Sequence, residues 1–141
     1  MQPLSYSDRL REWHLLREGC ASLPVQDCLS RINYWWMHQP WCAYRLHWDD
    51  QPTWPDPWQL LEEKELCDLA RGLGIMYTVC LIDRTDITDA TLVEVGNGNL
   101  VHVCAEKYIL NWNTEVVVSN HTKPIKCRRR ISQQQLQKLI Q

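Results

Sequence analysis

The Gly-Asn-Gly-Asn turn at 96–99 stands between two apolar runs, ATLVEVG (90–96) and LVHVCAE (100–106). Glycine and asparagine reach positive φ at little cost, so this arrangement predicts an antiparallel hairpin. YILNW (108–112) and EVVVS (115–119) read as a further antiparallel pair. A sheet of this kind needs a helical layer on its apolar face, and the first half of the chain supplies one.

There the apolar period is helical. Ser7-Asp8 can cap a first helix to about Glu18, with Leu10, Trp13 and Leu16 on one face and Gly19 at its end. Pro24 opens a second helix with Asp27 in its first turn, and Val25, Cys28, Leu29, Ile32, Trp35 and Trp36 form its stripe. Pro40 ends it. Residues 39–56 break the pattern with three prolines, three aspartates and three tryptophans, which predicts a long packed loop. Asp56-Pro57-Trp58-Gln59 is a helix start with cap, first-turn proline and box glutamine. Leu61, Leu66, Leu69, Ala70 and Leu73 extend that helix to about 72, with Gly72 or Gly74 as its stop. IMYTVCLID (75–83) then reads as a buried strand. Near the end, the basic run KPIKCRRR (123–130) leads to a short helix capped by Ser132 with Gln135 as its partner.

The expected fold is a single α+β domain over 1–141. It has a helical, Trp-rich part (1–56), a helix-plus-antiparallel-sheet core (57–119), and a basic tail with a short helix (120–141). A chain of 141 residues buries enough surface to need no disulfide or metal staple. Apolar residues at 45% and charged residues at 23% exclude a disordered chain. A net charge of −2 disfavours nucleic acid as a partner. No apolar run reaches membrane-span length, and the polar start Met1-Gln2-Pro3 reads as no signal peptide. Seven cysteines, none in a C-x-x-C pair, read as reduced thiols. His38, Cys42, His47 and Asp49 or Asp50 lie close in sequence, but the spacing H-x3-C-x4-H matches no common zinc site. His102 and Cys104 share a strand face without an evident third ligand. No cofactor and no metal are expected.

LARGLGIMYTVCLI, TLVEV and YILNW resemble the core of the transglutaminase-like branch of the papain-type cysteine enzymes. That resemblance implies a nucleophilic Cys early in the helix, a His opening the Val-Glu-Val strand, and an Asp on a later strand. Laid on this chain, those positions fall at Trp58 or Gln59, at Ala90, and near Asn111, so none of the three residue types is in place. Cys67, eleven residues after the Asp56 cap, reads as a packed core thiol. INYWW, HWDDQPTWPDPWQLL (47–61) and CDLARGLGIMYT (67–78) are similar to small proteins encoded among tailed-bacteriophage structural genes. This implies a neck, tail or baseplate component, assembled in the host cytoplasm and resident in the virion.

Trp35, Trp36, Trp41, Trp48, Trp54 and Trp58 crowd a short stretch, more indole than one helix face and one loop can readily bury. Tryptophan is enriched at interface hot spots. The expected partner-binding residues are therefore Trp41, Trp48 and Trp54, with Arg128, Arg129 and Arg130 as an electrostatic contact in the cluster that also holds Lys123 and Lys126. The partners would be other virion proteins in multiple copies, with no membrane. The expected function is non-catalytic assembly. Two alternatives stay open: a cysteine enzyme with an atypical nucleophile, and a carbohydrate- or host-factor-binding module using the Trp-rich loop.

Overall fold

Ser5, not Ser7-Asp8, caps the first helix: its hydroxyl accepts the Asp8 N–H at 3.2 Å, and α1 runs Tyr6–Cys20. The computed structural model describes residues 5–43, 46–96, 98–105, 107–112, 118–119 and 127–140. Helix α2 (Val25–Met37) follows the predicted stripe, burying Cys28, Leu29, Ile32 and Trp36. Within the loop that follows, Trp48–Thr53 forms a short 3₁₀ helix. Helix α3 (Pro57–Glu62) starts on the predicted capping box, with Asp56 and Gln59 each bonding the other's backbone N–H.

Two expectations fail next, for one reason. The helix expected to 72 stops at Glu62, and the strand expected at 75–83 is the second half of helix α4 (Asp68–Ile82). Helix α3 ends where other groups claim its backbone: the Arg9 guanidinium holds Leu61 O at 2.7 Å and also Glu63 O. Leu66 is drawn into a parallel bridge with Trp41. Helix α4 then touches α1, α2, α3 and the sheet, so eleven of its fifteen residues are buried. A helix covered on all sides loses its polar face and reads as a continuous apolar run, as a buried strand does. Gly72 and Gly74 are therefore not stops. A Cβ on Gly74 would lie 2.4 Å from the Trp36 ring, and one on Gly72 2.7 Å from Leu92 Cδ1. The glycines let neighbouring elements close on the helix.

Helix α4 ends on Asp83 in the left-handed region (φ 53°), and the chain enters the sheet. The strands are β1 (Thr91–Val95), β2 (Gly98–Val103), β3 (Tyr108–Leu110), β4 (Val118–Ser119) and β5 (Arg129–Ser132). All pairings are antiparallel, in the order β4-β3-β2-β1-β5. The hairpin expected at 96–99 is present, with Val95 opposite Gly98. Of the strand expected at 115–119, residues 115–117 lie outside the described set. Residues 123–126 of the basic run lie outside the described set, and its last two residues, Arg129 and Arg130, enter an edge strand beside Glu94 and Val93. Helix α5 (Gln133–Ile140) follows, begun by the Ser132–Gln135 box and packed on α4. The fold class is α+β, a helical layer with a central helix on an antiparallel sheet.

Distant arginines serve where helix-ending glycines are missing. Arg84 Nη1 donates to Cys20 O (2.8 Å) and Leu23 O at the end of α1, while Arg71 Nη2 donates to Gln39 O (2.6 Å) just past α2. Cys20 O is a carbonyl that the helix end leaves open, and Leu23 O and Gln39 O belong to the segments that follow the two helices. All seven cysteines are free thiols. Cys80 lies in α4 rather than a strand, and Cys104 just beyond β2.

Candidate functional site

The chemistry-bearing side chains converge at the N-terminus of α4. Cys67 is the residue before the helix, in extended conformation (ψ 173°), and buried. This corrects its expected placement three turns into a helix: the break after α3 brings it to the positive end of α4. The next residue, Asp68, turns its carboxylate to the sheet. Asp68 Oδ2 accepts Asn99 N–H (2.7 Å) and Asn99 Nδ2 (3.0 Å), and Oδ1 accepts Asn111 Nδ2 (3.2 Å). Asn111, at φ 64°, donates its backbone N–H to Asn33 Oδ1 (2.8 Å) and its Nδ2 to Asn99 O (2.7 Å). Trp48 Nε1 closes the set on Asn99 Oδ1 (2.7 Å). One carboxylate and three amides thus tie α4 to α2, β2 and β3. Buried polar networks of this kind hold only when nearly every group is matched.

Beside the network lies a cleft of about 220 Å³, walled by His47, Trp48, Cys67, Asp68 and Asn99 and rimmed by Asp49, Glu94 and Arg129. Arg129 spans that rim, pairing with Asp49 and, through Nε, with Glu94 Oε1 at 3.3 Å. The cleft offers a thiol at a helix end, an imidazole and a neutralised cation.

The residues predicted for partner binding divide. Trp48 and Trp54 are 6% and 5% exposed and stack edge to face at 5.5 Å, with Trp54 Nε1 on His47 O (2.8 Å). They hold the loop to the core and present no indole face to a partner, which corrects the expectation for both. The helical layer absorbs more indole than expected because the tryptophans pack on one another. Trp13 meets Trp36 and Trp58 edge to face at 6.4 Å, and Trp35 meets Trp36 at 4.9 Å. Trp41 is different, at 57% exposed, and Trp112, which the pattern did not single out, is 58% exposed. Arg128, Arg129 and Arg130 are all exposed; Arg128 donates to Gly96 O at 3.0 Å and Arg130 to Cys127 Sγ at 2.9 Å. Strand alternation sends Arg129 to the opposite face, into the cleft rim, so the three arginines are not one patch. Lys123 and Lys126 lie outside the described residues.

The positions implied by the cysteine-enzyme resemblance also separate. Trp58 packs on Trp13 in the helical layer, Ala90 lines a cavity with Asp83 at the far end of α4, and Asn111 joins the network at its near end. His38 stacks on Tyr34 at 3.9 Å, and Asp49 serves Arg129. Among the described residues no three His, Cys, Asp or Glu side chains are grouped to hold a metal ion. None of their helices is long and apolar enough to cross a membrane.

No protein-family model, curated protein or solved structure matches this chain. The two resemblances rest on the sequence words that suggested them.

Proposed function

We propose that the chain is a non-catalytic assembly subunit of a tailed-phage particle, acting through protein–protein contacts. The observation that carries the contact reading is the contrast among its indoles. Trp13, Trp36, Trp48 and Trp54 are buried, whereas Trp41 and Trp112 stay more than half exposed. A domain able to pack four tryptophans inside leaves those two where a neighbour can cover them. The particle itself comes from the sequence resemblance, with other virion proteins in multiple copies as partners.

The test compares particle incorporation with the stability of the free protein. Trp41→Ala should leave the melting temperature within about 2 °C of the parent, as expected for an exposed site. It should reduce co-purification with particles about tenfold, the equivalent of one lost interface anchor. Trp48→Ala should do the reverse, lowering the melting temperature first. Arg128→Glu with Arg130→Glu should weaken incorporation in a salt-sensitive way. If Trp41→Ala incorporates normally while folded, the contact reading fails.

One observation favours a second reading, the cysteine enzyme: Cys67 sits at a helix N-terminus on the wall of a cleft. Nucleophilic cysteines are commonly held at a helix N-terminus facing a cleft. Iodoacetamide labelling of the native protein near neutral pH separates the two. In an assembly subunit the tryptic peptide 65–71, which carries Cys67, labels no faster than the buried Cys80. Labelling of Cys67 about a hundredfold faster would favour the enzyme.

A further inference from the structure

Away from the cleft, the turn joining α1 to α2 covers two cysteines with a guanidinium beside them. Cys20 is the last residue of α1, and Cys28 lies in the first turn of α2. Cys20 Sγ donates toward Cys28 O at 3.6 Å, which sets the two cysteines against each other across the turn. Arg84 reaches across from beyond α4 and holds Cys20 O and Leu23 O beside the pair. Asp86 fixes that guanidinium with two bonds, from Arg84 Nε (2.8 Å) and Nη2 (2.7 Å).

We propose that Cys20 and Cys28 are a redox-active dithiol that hydrogen peroxide closes to a disulfide. The surroundings make the two sulfurs unequal. The hydrogen bond to Cys28 and burial hold the Cys20 proton on. Cys28 is drawn down by the bond it accepts from Cys20 and by Arg84, against the cost of burial. Cys28 is the more acidic of the two, so it attacks and Cys20 resolves. Cys80 shows what burial does without a cation: its thiol is pushed up to about 11, with Asp83 adding to the shift. Neither Cys20 nor Cys28 has exposed surface, so a small oxidant is required, and the cover is a short turn whose Ala21 and Ser22 are exposed.

The step balances with peroxide as oxidant. The Cys28 thiolate attacks one peroxide oxygen, the O–O bond breaks, and the departing hydroxide takes a proton to leave as water. Cys28 is then a sulfenic acid. Cys20 attacks that sulfur as its own proton goes to the departing oxygen, the S–S bond forms, and a second water leaves. Two thiols are oxidised, and one peroxide is reduced to two waters.

The sequence makes the test direct, because trypsin cuts after Arg17 and Arg31 and leaves both cysteines in one peptide, residues 18–31. The folded full-length protein is treated with hydrogen peroxide well below its melting temperature, then denatured, alkylated, digested and weighed. The expected result is a peptide 18–31 lighter by two hydrogens that takes no alkyl group, while Cys67 and Cys80 alkylate fully. In Cys20→Ser, peroxide should leave Cys28 as a sulfenic acid trapped by dimedone. Arg84→Met should slow bridge formation about tenfold, and Arg84→Lys should restore most of the rate, with tryptophan fluorescence reporting that each variant is folded. Peptide 18–31 taking two alkyl groups from folded, peroxide-treated protein would overturn the proposal. So would a bridge that forms only in denaturant.

Discussion

Thr78→Val should destabilise the protein by about 2–5 kcal/mol, although it exchanges side chains of nearly equal size. Thr78 is fully buried in α4, and its hydroxyl stands between two indoles. Trp13 Nε1 and Trp36 Nε1 both donate to Oγ1 at 2.9 Å, and the hydroxyl donates to Gly74 O at 2.7 Å. One oxygen thus satisfies two donors from two different helices. Valine fills the same space and leaves both indole N–H groups buried without an acceptor, at about 1–3 kcal/mol each. Thr78→Ser keeps the oxygen and loses only a methyl, so it should cost about 1 kcal/mol. Denaturant unfolding followed by tryptophan fluorescence measures both variants. A Thr78→Val loss under 1 kcal/mol would mean that the indoles find other acceptors and that the hydroxyl is not the joint between α1, α2 and α4.

That joint also shows what the sequence could and could not disclose. Helix α2 was legible because one of its faces is wet, so burial left a stripe through Cys28, Leu29, Ile32 and Trp36. The start of α3 was legible because capping is local chemistry among Asp56, Pro57 and Gln59. Helix α4 was read as half helix and half strand because contact on all sides erased its period, and its glycines mark close approach rather than an end. Strand β5 was missed because its pairing partner, β1, lies more than thirty residues upstream, and a short run of arginines carries no alternation of its own. At the candidate site, motif reasoning attends to Cys, His and metal-ligand spacing. The observed cluster is an aspartate with three asparagines spread from Asn33 to Asn111. Its trace was present: Asn33 lies beside Ile32 on the apolar side of α2, and Asn111 closes the apolar run YIL. A polar residue at a core position demands a partner, and that signal would have located the network.

The second large effect lies one turn away from Thr78. Gly74→Ala adds a single methyl to a helix, which on propensity alone stabilises it by about 1 kcal/mol. Here the sign should reverse, with a loss of about 3 kcal/mol, because three Trp36 ring atoms stand 2.4, 2.5 and 2.6 Å from where that methyl would sit. A flexible side chain would rotate away, but this ring cannot. Its Nε1 is tied to Thr78, and Trp13 and Trp35 close on it edge to face. Relief must come from moving α2 off α4, which also stretches the indole bond to Thr78. Gly72→Ala provides the contrast: its methyl would meet Leu92 Cδ1 at 2.7 Å, the tip of a side chain with other rotamers. It should cost less than Gly74→Ala by about 1 kcal/mol or more. Because the Gly74 and Thr78 changes share Trp36, their effects should not add. The double variant Gly74→Ala with Thr78→Val should lose about 1 kcal/mol less than the sum of the singles, since an indole already displaced has no bond left to forfeit. Additive losses in that cycle would show that α2 does not shift, and the rigid-ring account of Gly74 would fail.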